Sequence, residues 1–412
     1  MKITISSPDG LGDFVLRIPM IRVLLGDGHR LQMFMRRPAL DLARKFFPGV
    51  EIHEITADPY HPKTRSEKNP FLKEHAAIRA FSPDLYVASL FALNFFDEVW
   101  FEENGWRVPV AGFSTADAFW PSGTIVDPAR LAEGFHINVK VPVALPEREK
   151  NRRLASAILG CELELPAPSL DVDAASSLAA EEWLATNGVC AGEFWVACVG
   201  GRSGLQMKDW GEENWAQFLA AIDDGTPIVF FGNTKESESI ERIRSSLSQS
   251  TINTAEAPLS LPLVLALAAK SRGYVGRDSG IMHLAAATGR RVFALFGGGH
   301  WGRFLPSGSG VIVTANVPCR GCDFLCPHER AHCIRDVSLS FAGEAWREFL
   351  QEPQELIVRE ESLAPGLLAR IRATSSDELI AGRERASCAQ RRSRQTWLMR
   401  MKTFFLTRIR PN

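Results

Sequence analysis

No uninterrupted apolar run among the 412 residues approaches the ~18 that a membrane-spanning helix needs. The opening MKITISSPDG has one Lys but no apolar stretch of signal-peptide length, so the expectation is a cytoplasmic chain. The P-loop spacing G-x-x-x-x-G-K-[ST] is not met, which disfavours a nucleoside triphosphatase. Nor is there a loop Asp-x-Asp suited to hold Mg²⁺ against a diphosphate. The DVD at 171–173 falls in a connecting stretch and reads as solvated. Net charge is close to nil, at −1, only because it is segregated. Residues 381–412 carry nine Arg or Lys against one Glu, leaving the preceding chain acidic and nucleic acid a poor partner.

What is present is the mix of a soluble globular protein, 45% apolar and 23% charged, with room for two domains and an extension. The chain opens as strand, Gly-rich loop and helix: KITIS, SPDGLGD, then FVLRIPMIRVLL from Phe14, with Gly26 and Gly28 as stop signals. RLQMFM, VEIHEI and DLYVASL follow as short strands. A charged helix and a Pro-rich connection between about 146 and 176 mark a boundary, after which the alternation restarts with FWVACVG, PIVFFG, GYVG and RVFALFG. Such alternation implies parallel sheets covered on both faces. The expected organisation is a Rossmann-like domain at 1–165, a second at 176–345, and a helical extension with a basic amphipathic tail at 346–412. Ligands of such sheets bind beyond the carboxyl ends of the strands, where loops enter helices.

GRDSGIMHLAAATG, 276–289, sets Asp278 and Ser279 at the mouth of a short apolar helix and His283 one turn on. Both acceptors read equally as N-caps, but that leaves the imidazole unexplained. Unpaired first-turn N–H groups and the helix dipole attract a phosphate, and Gly280 allows close approach. Asp278 suits hydroxyl groups beside that phosphate, and a phosphate next to a polyol describes a sugar nucleotide. Lys208, in the Gly-rich GGRSGLQMKDW, follows a strand in the same half. Glu236, after PIVFFG, reads either as a ribose contact or as complement to a helix dipole.

With these residues in hand the chain resembles glycosyltransferase family 9, the ADP-heptose:lipopolysaccharide heptosyltransferases. The resemblance rests on GLGDFVLRIPMIRVL, K-D-W-x-x-E-N-W at 208–215, and VGRDSGIMHLAAATGRRVFALFG at 275–297. It implies the α/β GT-B fold, two Rossmann-like doubly wound domains facing a central cleft, with no cofactor required for catalysis. It further implies Asp13 as catalytic base, Gly10 and Gly12 as its flexible loop, and Lys208 as diphosphate contact. Glu236 becomes the ribose contact, and Asp278, Ser279, Gly280 and His283 the donor cradle. The implied reaction is inverting transfer of heptose from ADP-heptose to a lipopolysaccharide inner-core type acceptor. Another nucleotide sugar, a protein or other glycan acceptor, or a non-catalytic nucleotide-sugar or metal-binding module are the alternatives. Asp9 rivals Asp13 as base, and Asp13 also reads as an N-cap. The family's Pro-containing turn after the last F-G is replaced here by GGGHWGRF.

Cys319, Cys322, Cys326 and Cys333, spaced C-x2-C-x3-C-x6-C beside His328 and His332, read as a structural Zn or Fe site or as packed thiols. In the tail, Trp397, Met401, Phe404, Phe405 and Ile409 share a helical face among Arg and Lys. That pattern fits peripheral contact with the inner face of an anionic membrane carrying a glycolipid acceptor, or a solvated or docked tail. HPKTRSEKN at 61–69 is a basic loop that fits acceptor phosphates or simple solvation.

Overall fold

A computed structural model describes residues 1–60, 69–90, 94–104, 107–115, 134–200, 206–299, 301–322, 326 and 328–374. The basic tail at 381–412 and most of the basic loop at 61–69 lie outside them.

Two parallel sheets organise the chain. The first contains β1 (Lys2–Ser7), β2 (Arg30–Met35), β3 (Glu51–Glu54), β4 (Leu85–Ala88), β5 (Val110–Ser114) and β6 (Ile137–Lys140), in the order β3-β2-β1-β4-β5-β6. The second contains β7 (Trp195–Cys198), β8 (Ile228–Phe230), β9 (Thr251–Asn253), β10 (Gly273–Arg277), β11 (Val292–Leu295), β12 (Gly310–Asn316) and β13 (Leu356–Ser362), in the order β13-β12-β11-β10-β7-β8-β9. Both are doubly wound, with the strand order reversing between β1 and β4 and between β7 and β10. Such switch points are where loops diverge and a crevice opens. Central strands such as β10 and β11 are buried throughout, the continuous apolar reading expected of a sheet covered on both faces.

The stretch from 346 does not remain helical as expected. Leu356, Ile357 and Val358 carry strand-favouring side chains, and β13 pairs in parallel with β12 along seven residues as the sheet's edge.

The first helix, Leu11–Gly26, is buried on nearly every side from Phe14 to Ile21. A helix apolar all round belongs inside a protein. It packs on both the Glu147–Leu159 helix of the first lobe and the Gly280–Ala287 helix of the second. Leu11, Phe14, Ala39 and Leu42 join Val264, Met282 and Leu284 in one apolar cluster, so the lobes share a common core. Gly28, at φ +78°, lets the chain turn away where the stop signal was read. The DVD stretch is not merely solvated: Asp173 caps the Ala174–Thr186 helix by accepting from Ser176 N–H at 3.0 Å and pairs with Lys45.

Candidate active site

The two helices that matter most begin face to face. A Cβ on Gly280 would lie 2.8 Å from Leu11 Cβ, and one on Gly12 would lie 2.8 Å from His283 Cδ2. Only glycine permits both approaches. Two helix N-termini, one from each lobe, therefore meet, each with N–H groups that intrahelical bonding leaves over.

On the first lobe, β1 leads through Ser7-Pro8-Asp9 into a helix that starts at Leu11, three residues before the Phe14 expected from sequence. The Gly-Leu-Gly run reads as loop, but packing of Leu11 on Gly280 draws it into the first turn. Asp13 is thus the third helical residue and not the N-cap, and its Oδ2 accepts from Gly10 N–H at 3.2 Å. Burial and the neighbouring Asp9 raise its carboxyl from 3.8 to about 7, with Arg17 and Arg303 opposing and Glu147 adding to the rise.

Asp9 is held differently. Arg17 Nη1 donates to its Oδ1 at 3.0 Å and Nη2 to its Oδ2 at 2.5 Å, while Arg17 Nη1 also reaches Ser7 Oγ. Both carboxylate oxygens face a buried guanidinium, so Asp9 serves as an anchor for the loop.

On the second lobe, β10 ends at Arg277 and the helix Gly280–Ala287 begins behind an extended Ser279. Ser279 Oγ accepts from Met282 N–H at 3.3 Å and meets Tyr274 Oη at 3.0 Å, the N-cap geometry. Asp278 Oδ2 lies 2.7 Å from Lys208 Nζ, so these two candidates, seventy residues apart, are brought together. His283 is buried, and that burial holds its imidazole down at about 4, against Asp278 pulling upwards. It is neutral near pH 7.

Lys208 closes a short turn, Gln206–Lys208, whose following residues are structural. Trp210 Nε1 donates to Val337 O at 2.9 Å, Trp210 stacks edge-on with Trp215, Asn214 Nδ2 donates to Trp210 O, and Asp209 pairs with Arg335. The Lys-Asp-Trp motif thus anchors the turn through buried Trp210 and leaves Lys208 partly exposed beside Asp278. Glu236 is buried, with Oε1 2.6 Å from Arg277 Nη2 and Oε2 accepting from Asn233 N–H at 3.0 Å and Nδ2 at 2.6 Å. Sequence reading missed Arg277, although it sits inside the quoted GRDSG. An Arg at a strand's end opposite an acidic candidate was the available signal.

The cysteines divide. Cys319, Cys322 and Cys333 are buried in the second lobe's apolar core, and Cys326 is partly buried beside it. Burial, with Cys319 and Cys326 as neighbouring thiols, pushes the Cys333 thiol up to about 12. His332 Nδ1 turns to Asp336 at 2.6 Å. Among the described residues no three His, Cys, Asp or Glu are grouped to hold a metal ion.

Two doubly wound lobes meeting at facing helix starts define the class: the GT-B architecture. Over the whole chain that likeness is one of fold. A glycosyltransferase family 9 protein from Veillonella parvula DSM 2008 superposes with TM-score 0.66 at 13% identity, covering 85% of this chain and 97% of that one. The E. coli ADP-heptose lps heptosyltransferase II superposes at 0.61 with 18% identity, covering 85% and 99%. Residues 135–322 match the family model Glycosyltransferase family 9 (heptosyltransferase). Lipopolysaccharide heptosyltransferase 2 of Escherichia coli (strain K12) is 32% identical over 104 residues, 24% of this chain. The aligned stretch spans 30% of that relative's length. These matches support glycosyltransferase family 9.

Proposed function

We propose that the chain is an inverting glycosyltransferase that transfers heptose from ADP-heptose to a lipopolysaccharide inner-core type acceptor. The donor rests on the lobe at 176–345 and the acceptor on the lobe at 1–165. The observation that supports this reading is the contact of Leu11 and Gly12, which directly precede Asp13, with Gly280 and His283 at the helix start of the other lobe. The names of the relatives, lipopolysaccharide heptosyltransferase 2 and ADP-heptose lps heptosyltransferase II, support the choice of donor and acceptor.

In the reaction, an acceptor hydroxyl oxygen bonds to the anomeric carbon as the bond from that carbon to the diphosphate oxygen breaks. The electron pair leaves with the diphosphate, and the hydroxyl proton passes to the Asp13 carboxylate. A diphosphate leaves without an acid if its charge is stabilised. Lys208, released from Asp278, the N–H groups at the start of the Gly280 helix, and the neutral imidazole of His283 supply that stabilisation. Asp278 then accepts from sugar hydroxyls, and Glu236, oriented by Arg277 and Asn233, takes the ribose. This charge set needs no divalent metal. Arg17 holds both oxygens of Asp9, which supports Asp13 as the base.

Among the described residues no helix is long and apolar enough to cross a membrane. A glycolipid acceptor fits the basic, amphipathic sequence of 381–412.

The test is Asp13→Asn, assayed by release of nucleoside diphosphate and by mass of the acceptor product. The expected loss is about 10²- to 10⁴-fold in kcat with nucleotide Kd unchanged. Turnover near that of the unaltered protein would remove Asp13 from the chemistry. A binding screen of nucleotide sugars in which ADP-heptose does not stand out would overturn the donor.

A further inference from the structure

We propose that Tyr274 is a positioning residue for the donor cradle: its phenol staples the turn that carries Asp278 to both the end of β10 and the start of the Gly280–Ala287 helix. Its bearing on donor binding rests on the reading of that cradle given above; the staple itself does not.

Tyr274 is 0% exposed and packs within the apolar cluster that the lobes share. A Phe would fill that place equally well, so what needs a reason is the buried oxygen, which costs free energy unless it is hydrogen-bonded. Its Oη donates to Arg277 O at 2.6 Å and lies 3.0 Å from Ser279 Oγ. A carbonyl oxygen can only accept, so the one phenol proton is spent on Arg277. Ser279 must then be the donor in the second bond, and its Oγ keeps its lone pairs for Met282 N–H, at 3.3 Å. The chain of bonds thus runs from Met282 N–H through Ser279 and Tyr274 to Arg277 O. The Cys198 thiol also faces both hydroxyl oxygens, but a thiol is too weak a donor to displace either bond.

Asp278 stands between the two stapled residues. Its own N–H donates to Leu295 O at 3.2 Å, so the turn is fixed at three successive residues: Arg277 by its carbonyl, Asp278 by its amide and Ser279 by its hydroxyl. The carboxylate that meets Lys208 Nζ at 2.7 Å is presented from that turn. Removing only the phenol oxygen frees the first and third of these anchors. The sequence also makes room for the phenol. Residues 274 and 276 point to the same face of β10, and a Cβ on Gly276 would lie 2.8 Å from Tyr274 Oη and closer still to Cys198 O.

The test is Tyr274→Phe in the full-length protein, read by calorimetric binding of ADP, by donor and acceptor KM, and by hydrogen exchange of the Met282 amide. A lost hydrogen bond predicts a rise of about 10-fold in ADP Kd, with donor KM following, acceptor KM unchanged and Met282 exchange faster. Ser279→Ala should likewise weaken ADP and speed Met282 exchange. Because the two side chains share a bond, adding Tyr274→Phe to Ser279→Ala should cost less than Tyr274→Phe costs alone. A tyrosine that only fills the core predicts a lowered Tm with Met282 exchange unmoved, or effects of the two substitutions that multiply in full; either result would overturn the proposal. Tighter ADP binding by Tyr274→Phe would overturn it too, since the freed Ser279 hydroxyl would then have turned to the phosphate. Faster Met282 exchange in both variants without any change in ADP binding would uphold the staple and strike instead at this helix start as the diphosphate site.

Discussion

Gly280→Ala is the sharpest perturbation of the interface between the two helix starts. The new Cβ would stand 2.8 Å from Leu11 Cβ and 3.1 Å from its Cγ and Cδ2. Carbon atoms rest at about 3.5–4.0 Å, so Leu11 must retreat by roughly 0.7 Å or more. A backbone-proximal Cβ cannot rotate aside, and Leu11 is the first residue of the helix whose third is Asp13. The displacement is passed to the carboxylate. A misplacement of about 1 Å costs up to ~10²-fold in rate, so a 10- to 100-fold fall in kcat/KM is expected. Stability should move less, because overpacking costs about 1–3 kcal/mol while Ala regains up to ~1 kcal/mol over Gly within a helix. Initial rates and calorimetric Tm separate the two effects. Gly343→Ala is the control: Gly343 lies inside the Leu339–Leu350 helix with nothing within 4 Å of its would-be Cβ, and should stabilise without touching the rate. Full activity in Gly280→Ala, with Tm unchanged, would refute the claim that this contact sets the geometry of the crevice.

Arg277→Met leaves the buried Glu236 carboxylate without its cation, which should destabilise by about 3–5 kcal/mol and lower Tm by roughly 10 °C in calorimetry. Thiol labelling of the native protein, mapped by mass spectrometry, should modify exposed Cys161 and Cys190 first and spare Cys198, Cys319, Cys322 and Cys333 until denaturant is added. Initial rates with and without excess chelator should agree; a chelator-sensitive rate restored by a divalent ion would show that Lys208 and the helix start do not suffice for the leaving group.

What was legible in the sequence was local. The DSG run at 278–280 marked a helix start because Ser caps by reaching three residues ahead, and the structure forms that bond to Met282. Strands such as VFAL and GYVG were readable as short apolar runs between Gly and Arg. The helix start at Leu11 was not, since two glycines signal a loop and only packing against Gly280 overrides them. The pairing of Lys208 with Asp278 followed from sheet topology, which places the loops after β7 and β10 side by side at a switch point. Glu147 and Arg303 carried no signal, because they lie 156 residues apart and belonged to stretches read as a linker helix and a departure from the family pattern.

The pH dependence follows from two groups that burial drives apart, Asp13 up to about 7 and His283 down to about 4. With a value near 4 the neutral imidazole is a far weaker base than the Asp13 carboxylate that forms above about pH 7, so the carboxylate takes the proton released by the acceptor. As Asp13 must be ionised to act, kcat/KM should rise with unit slope to a plateau above about pH 7. Linkage gives stability the opposite sign. The folded value lies above the ordinary 3.8, so the contribution of the neutral carboxyl is fully present below that pH and is lost as pH rises through about 7. Bound diphosphate adds negative charge beside Asp13 and must raise its pKa further, by about one unit for a charge at a few ångströms in a medium of intermediate dielectric. Since kcat reports the bound complex and kcat/KM the free enzyme, the acidic limb of kcat should lie above that of kcat/KM. Rate profiles from pH 5 to 9 with saturating and limiting donor decide this: a kcat limb below that of kcat/KM, or a limb near 4 in both, would mean that the titrating group does not stand beside the leaving diphosphate.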